Sequence, residues 1–97
     1  MKIVFKKDIN HDNEIIAFMP YDFINWQGDF TCYAHIGQHG ACNYEYYKTC
    51  RNATKEEYKE LLQELKNIGY DVEIIKRTNT KELKTAYNDF MARYARG

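Results

Sequence analysis

The chain has a single proline and only five glycines in 97 residues. So few breakers leave little room for linkers, low-complexity segments or a proline-rich recognition tail. It has no excess of either charge: 14 lysines plus arginines offset 14 aspartates plus glutamates. Affinity for nucleic acid draws mainly on surplus positive charge, so this balance argues against DNA or RNA as the partner. Acidic residues lean toward the N-terminal third and basic ones toward residues 61–97, without building a polybasic arm. No apolar run approaches the roughly 20 residues of a membrane span. The opening MKIVFKKD returns to charge after IVF and lacks the apolar stretch of a signal peptide, so the expected location is the cytoplasm. The cysteines, Cys32, Cys42 and Cys50, are odd in number and are expected to stay reduced there.

Aromatic residues are plentiful. They make up 15% of the chain, and nine of them are tyrosines. A phenol ring is a large apolar body with a hydroxyl that seeks a partner, which suits a thin core closed by amphipathic rings and also suits contact surfaces. The length matches one domain spanning residues 1–97, since domains cluster near ~100–150 residues.

Periodicity supplies the elements. Residues 2–6 (KIVFK) read as a strand, residues 8–13 (DINHDN) as a turn, and residues 14–19 (EIIAFM) as a second strand closed by Pro20. Residues 21–29 read as a loop carrying Trp26, with either an inward-folded lid of Phe23 and Trp26 or a protein-contact loop as its role. Residues 30–36 read as a third strand. Its alternation predicts Phe30, Cys32, Ala34 and Ile36 toward the core, with Thr31, Tyr33 and His35 facing away. Gly37 to Gly40 is expected to end that strand. Residues 43–50 read either as a short helix capped by Asn43, the favoured reading, or as an extended run. Thr54 and Glu57 form a capping box ahead of the stripe Tyr58, Leu61, Leu62, Leu65 and Ile68, and Gly69 stops that helix. Residues 71–77 read as a fourth strand. Asn79 or Thr80 caps a last helix with the apolar stripe Leu83, Ala86, Tyr87, Phe90, Met91 and Tyr94. The order β-β-β-α-α-β-α predicts an α+β fold. Its antiparallel sheet has about four strands, with two main amphipathic helices on one face and the other face free for a partner.

The stretch HIGQHGAC, residues 35–42, is the one concentrated set of polar and thiol groups. His35, His39, Cys42 and Cys50 offer four nitrogen or sulfur donors of the kind zinc takes, but their spacing matches no common zinc module. Two glycines beside Gln38 and His39 expose backbone amides able to grip an anion or nucleotide phosphate. The turn IGQHG resembles the I-G-x-x-G turn of KH domains; here a strand rather than a helix precedes it, and Asn43 stands where an aliphatic residue belongs. A histidine base, with Asp29 or Glu45 nearby, or a cysteine nucleophile at Cys32 or Cys42, has no family signature behind it. Lys81, Lys84, Arg93 and Arg96 on the last helix read as a solvated polar face.

The segment TCYAHIGQHGACNYEYY, followed by NATKEEYKELLQEL and GYDVEIIKR, resembles a group of short proteins encoded by bacterial genomes and their mobile elements, phages included. The likeness spans residues 14–77, is most specific at YAHIGQH with the downstream ATKEEYKELLQEL, and does not require Cys42 or Cys50. It implies a mobile-element setting and no particular reaction. The sequence therefore leads us to expect a small non-enzymatic binding protein without a cofactor, acting as a homodimer and taking a protein or small-molecule ligand. Its expected site holds His35, Gln38, His39 and Gly40, with Tyr33, Tyr44 and Trp26 beside them. The alternative is a zinc- or nucleotide-binding module on the same loop.

Overall fold

The structure, a computed structural model, describes residues 1–34 and 38–96. In chain order its elements are β1 (Lys2–Asp8), β2 (Glu14–Phe23), β3 (Phe30–Ala34), β4 (Gln38–Cys42), α1 (Tyr44–Thr49), β5 (Arg51–Asn52), α2 (Lys55–Asn67), β6 (Glu73–Ile74) and α3 (Thr80–Arg96). The α+β class holds, but the sheet has six strands rather than about four. Its order is β4-β3-β2-β1-β5, and β6 also pairs with β1. All pairings are antiparallel except β1 with β6.

The first hairpin turns on Asp12 and Asn13, both at positive φ. These are residue types that tolerate the left-handed region, and they sit at the centre of a turn closed by Glu14 N–H donating to the His11 carbonyl. Pro20 does not end β2. The strand runs on to Phe23, and the β2–β3 register shifts between Met19 and Phe23. Proline lacks an N–H, and it falls in the part of the strand where the ladder is interrupted.

The expectation of one covered and one free sheet face is overturned. Ile3, Phe5, Ala17, Met19 and Tyr33 pack with Leu61 and Leu65 of α2 on one face. Val4, Ile16, Phe18, Phe30 and Cys32 pack with Tyr47 and Cys50 on the other. Both period-two sets of each central strand are apolar or aromatic, and such strands are stable only between two layers. The start of α3 shares the α1 face: Lys2 pairs with Glu82 at 2.6 Å, Tyr87 packs edge-on against Phe23, and Asn79 N–H donates to the Tyr21 hydroxyl. The two main helices thus lie on opposite faces, not together. Tyr33, expected to point outward, is 1% exposed.

Local capping follows the sequence closely. Asn43 accepts from the Tyr46 amide at the start of α1, and Lys6 donates to the carbonyls of Tyr47 and Cys50 at its end. The Thr54–Glu57 capping box is complete. Asn79, not Thr80, caps α3 by accepting from Glu82 N–H. At the end of α2, Gly69 takes φ +107°. The Tyr70 amide donates to the Leu65 carbonyl and the Gly69 amide to that of Lys66, the paired bonds of a Schellman turn.

Candidate functional site

That turn places the most developed polar cluster on the surface. Tyr70 follows the left-handed glycine, and its hydroxyl lies 2.7 Å from His39 Nε2. His39 sits on β4 directly opposite Tyr33, so both side chains leave the sheet on the α2 face. Their rings meet edge to face with centroids 4.7 Å apart. The Tyr33 ring is buried, and its hydroxyl reaches Glu64 of α2 at 2.5 Å. Tyr33, His39, Ile68, Gly69 and Tyr70 line a depression of about 440 Å³ between β4 and the end of α2. Ile68 is 52% exposed and forms its apolar wall.

The outer edge of β4 borders this depression. The strand is the last in the sheet, and among the described residues no other strand pairs with its far side. Its sequence, QHGAC, carries no lysine, no acid and no proline, the residues that commonly block a sheet edge from adding another strand. Residues 38–40, expected only to end the third strand, belong instead to a fourth strand, and Gly37 lies outside the described residues. Gly40 lies directly opposite Cys32 there.

The expected site residues divide. Tyr33 and His39 are brought together, and Gln38 and Gly40 lie on the same edge strand. His35 lies outside the described residues. Tyr44 belongs to the opposite face, stacked on Tyr47 with its hydroxyl 3.3 Å from Thr78 Oγ1. Trp26 is 58% exposed in the β2–β3 loop, so it forms no lid, while Phe23 does turn inward onto Phe30 and Tyr87. Tyr70, Glu64 and Ile68 were not anticipated. The helix stop at Gly69 was the signal for where Tyr70 emerges, whereas Ile68, expected on the apolar stripe of the helix, is exposed instead.

Of the four proposed zinc donors, His35 lies outside the described residues, and the other three do not converge. His39 faces α2, whereas Cys42 and Cys50 pack with the α1-side cluster. Among the described residues no group of three histidine, cysteine or acidic side chains is placed to hold a metal ion.

A second polar cluster surrounds Asp8, which is 2% exposed. Its carboxylate accepts from the Tyr46 hydroxyl at 2.5 Å, from the Asn10 amide at 3.0 Å and from His11 Nδ1 at 2.8 Å. The Tyr46 hydrogen bond leads in holding its carboxyl below the usual value, helped by Asn10 and His11 against the opposing effect of burial. Burial and the same bond push the Tyr46 phenol up. This cluster ties the first hairpin to α1, and the sequence presented its residues only as turn chemistry and a helical tyrosine.

No family model, curated protein or solved structure matches the chain. No helix among the described residues is long and apolar enough to cross a membrane.

Proposed function

We propose that the protein is a non-enzymatic binding module that takes an extended segment of a partner protein as an added strand on β4. A side chain of that segment would sit among His39, Ile68 and Tyr70. The observation that carries this reading is the adjacency of a strand edge without lysine or acid, unpaired among the described residues, to the depression beside the end of α2. Strand addition derives affinity from main-chain hydrogen bonds and specificity from pockets that receive alternate side chains. His39 and Tyr70 supply polar contacts and ring faces, and Ile68 supplies apolar area. A small ligand held here would remain largely in water, whereas small-molecule sites bury most of their ligand. The resemblance to mobile-element proteins supports a setting in the bacterial cytoplasm, where the bound segment belongs to a host component. Pairing of β4 with β4 of a second copy is the competing occupant.

The test is selection of binders from a displayed library of random linear peptides. Binding of an enriched peptide is then measured by fluorescence anisotropy. Ile68→Glu removes exposed apolar area without touching the core and is expected to weaken binding about tenfold, equivalent to roughly 1.4 kcal/mol. The β4 amides should gain protection from hydrogen exchange when peptide is bound. Enriched peptides that bind Ile68→Glu and His39→Ala as tightly as the parent, or that leave β4 unprotected, overturn the reading.

A further inference from the structure

Cys32 and Cys42 lie on neighbouring strands. Phe30 stands opposite Cys42, and Cys32 stands opposite Gly40. Both thiols therefore leave the sheet on the α1 face, offset diagonally by two residues. Gly40 has no side chain, and the Cys32 sulfur leans over it: a Cβ built at Gly40 would lie 3.6 Å from that Sγ. Both side chains pack in the same cluster on that face. Cys32 is 9% exposed, Cys42 is half-buried, and neither is in a disulfide.

We propose that Cys32 and Cys42 form a redox modification site, a dithiol that hydrogen peroxide converts to a cross-strand disulfide. The Cys32 sulfur attacks one peroxide oxygen; the S–O bond forms as the O–O bond breaks, and the departing hydroxide takes the Cys32 proton as water. The Cys42 sulfur then attacks the resulting sulfenic sulfur. The S–S bond forms, the S–O bond breaks, and the second hydroxide leaves with the Cys42 proton. Two thiols and one peroxide give one disulfide and two waters. The Cys42 hydrogen bond holds the Cys32 thiol below its usual value, and the same contact, with burial, pushes Cys42 up. The first attack falls to Cys32, because the thiol with the lower value carries the larger thiolate share.

Closure moves the edge strand. Diagonal partners on antiparallel strands have Cα atoms about 7–8 Å apart, and a disulfide spans about 4.4–6.8 Å. Reaching the commonest disulfide separation of about 5.5–6 Å would draw β4 toward β3 by about 1–2.5 Å, and among the described residues β4 pairs with another strand on one side only. His39, on the other face of β4, moves with it against Tyr70. Resting on the strand-addition reading above, oxidation is then a switch on partner binding.

The full chain is treated with peroxide and mapped without reduction. A Cys32–Cys42 linked peptide, with loss of the mass of two hydrogens, is expected in the parent and in Cys50→Ser, but not in Cys32→Ser or Cys42→Ser. The half-buried Cys42 position keeps the test open should Cys32→Ser fail to fold. A sulfinic acid without a bridge, or a bridge to Cys50, overturns the site. Affinity for an enriched peptide should fall about tenfold on oxidation. An unchanged affinity refutes the switch. If no peptide is enriched at all, the binding reading fails while the disulfide map still decides the chemistry.

Discussion

The same substitution at two glycines should act in opposite directions. Gly69 has φ +107°, and a Cβ added there meets nothing within 4 Å. The penalty for Gly69→Ala is therefore purely conformational: an L-residue forced into the left-handed half of backbone space loses about 1–2 kcal/mol. The Schellman bonds at Gly69 and Tyr70 are strained with it. Gly40 lies in an ordinary strand conformation, and its added Cβ would sit in normal contact, 3.6 Å from the Cys32 sulfur. Gly40→Ala there removes freedom from the unfolded chain and should stabilise by about 0.4–1 kcal/mol. For a domain this size, each kcal/mol moves the melting temperature by roughly 4–8 °C. Urea unfolding with a common m-value gives the two changes directly. A second readout is local: amide exchange at Tyr70 should quicken in Gly69→Ala beyond the global change, because the turn itself opens. Equal destabilisation of both variants, or a neutral Gly69→Ala, would refute the assignment of Gly69 as the conformational stop that delivers Tyr70 to His39.

Two further outcomes follow from the buried polar contacts. Asp8→Ala leaves the Tyr46 hydroxyl and the Asn10 amide without their shared acceptor and should cost about 1.5–3 kcal/mol at neutral pH. Because the folded-state carboxyl is held below its usual 3.8, its stabilisation is present above that value and is lost as pH falls through the lowered native value. Asp8→Ala should thus show a shallower acid limb in unfolding measured against pH. Glu57, pulled down to about 2 by Lys7 and the capping box, keeps part of that limb in both proteins. Tyr33→Phe retains the buried ring and removes the hydroxyl that reaches Glu64, so it should cost about 1 kcal/mol in chemical denaturation. A loss as large as that of a core truncation would mean that the hydroxyl supports more than this contact.

Short-range patterns were legible in the sequence because their causes are short-range. The Asn43 cap, the Thr54–Glu57 box, the stripe from Tyr58 to Leu65 and the stop at Gly69 each involve groups a few residues apart. The α+β class followed from counting such segments. The candidate site was half legible: His39 and Tyr33 stand close in sequence, and their cross-strand meeting needs only the reversal after Ala34. What the tertiary structure alone decided was which faces are covered and which distant groups meet. Alternation shows that Tyr33 and Cys32 oppose one another but not that both faces are buried, because burial depends on α1 and α2 arriving on opposite sides. Residues 38–42 form a strand only because β3 offers a partner edge, since a short run rich in small residues has little extended preference of its own. The contacts of Tyr70 with His39, of Asp8 with Tyr46 and of Cys32 with Cys42 are consequences of strand register and helix placement. Register is set cooperatively by the whole core, and no local stretch of this chain contains it.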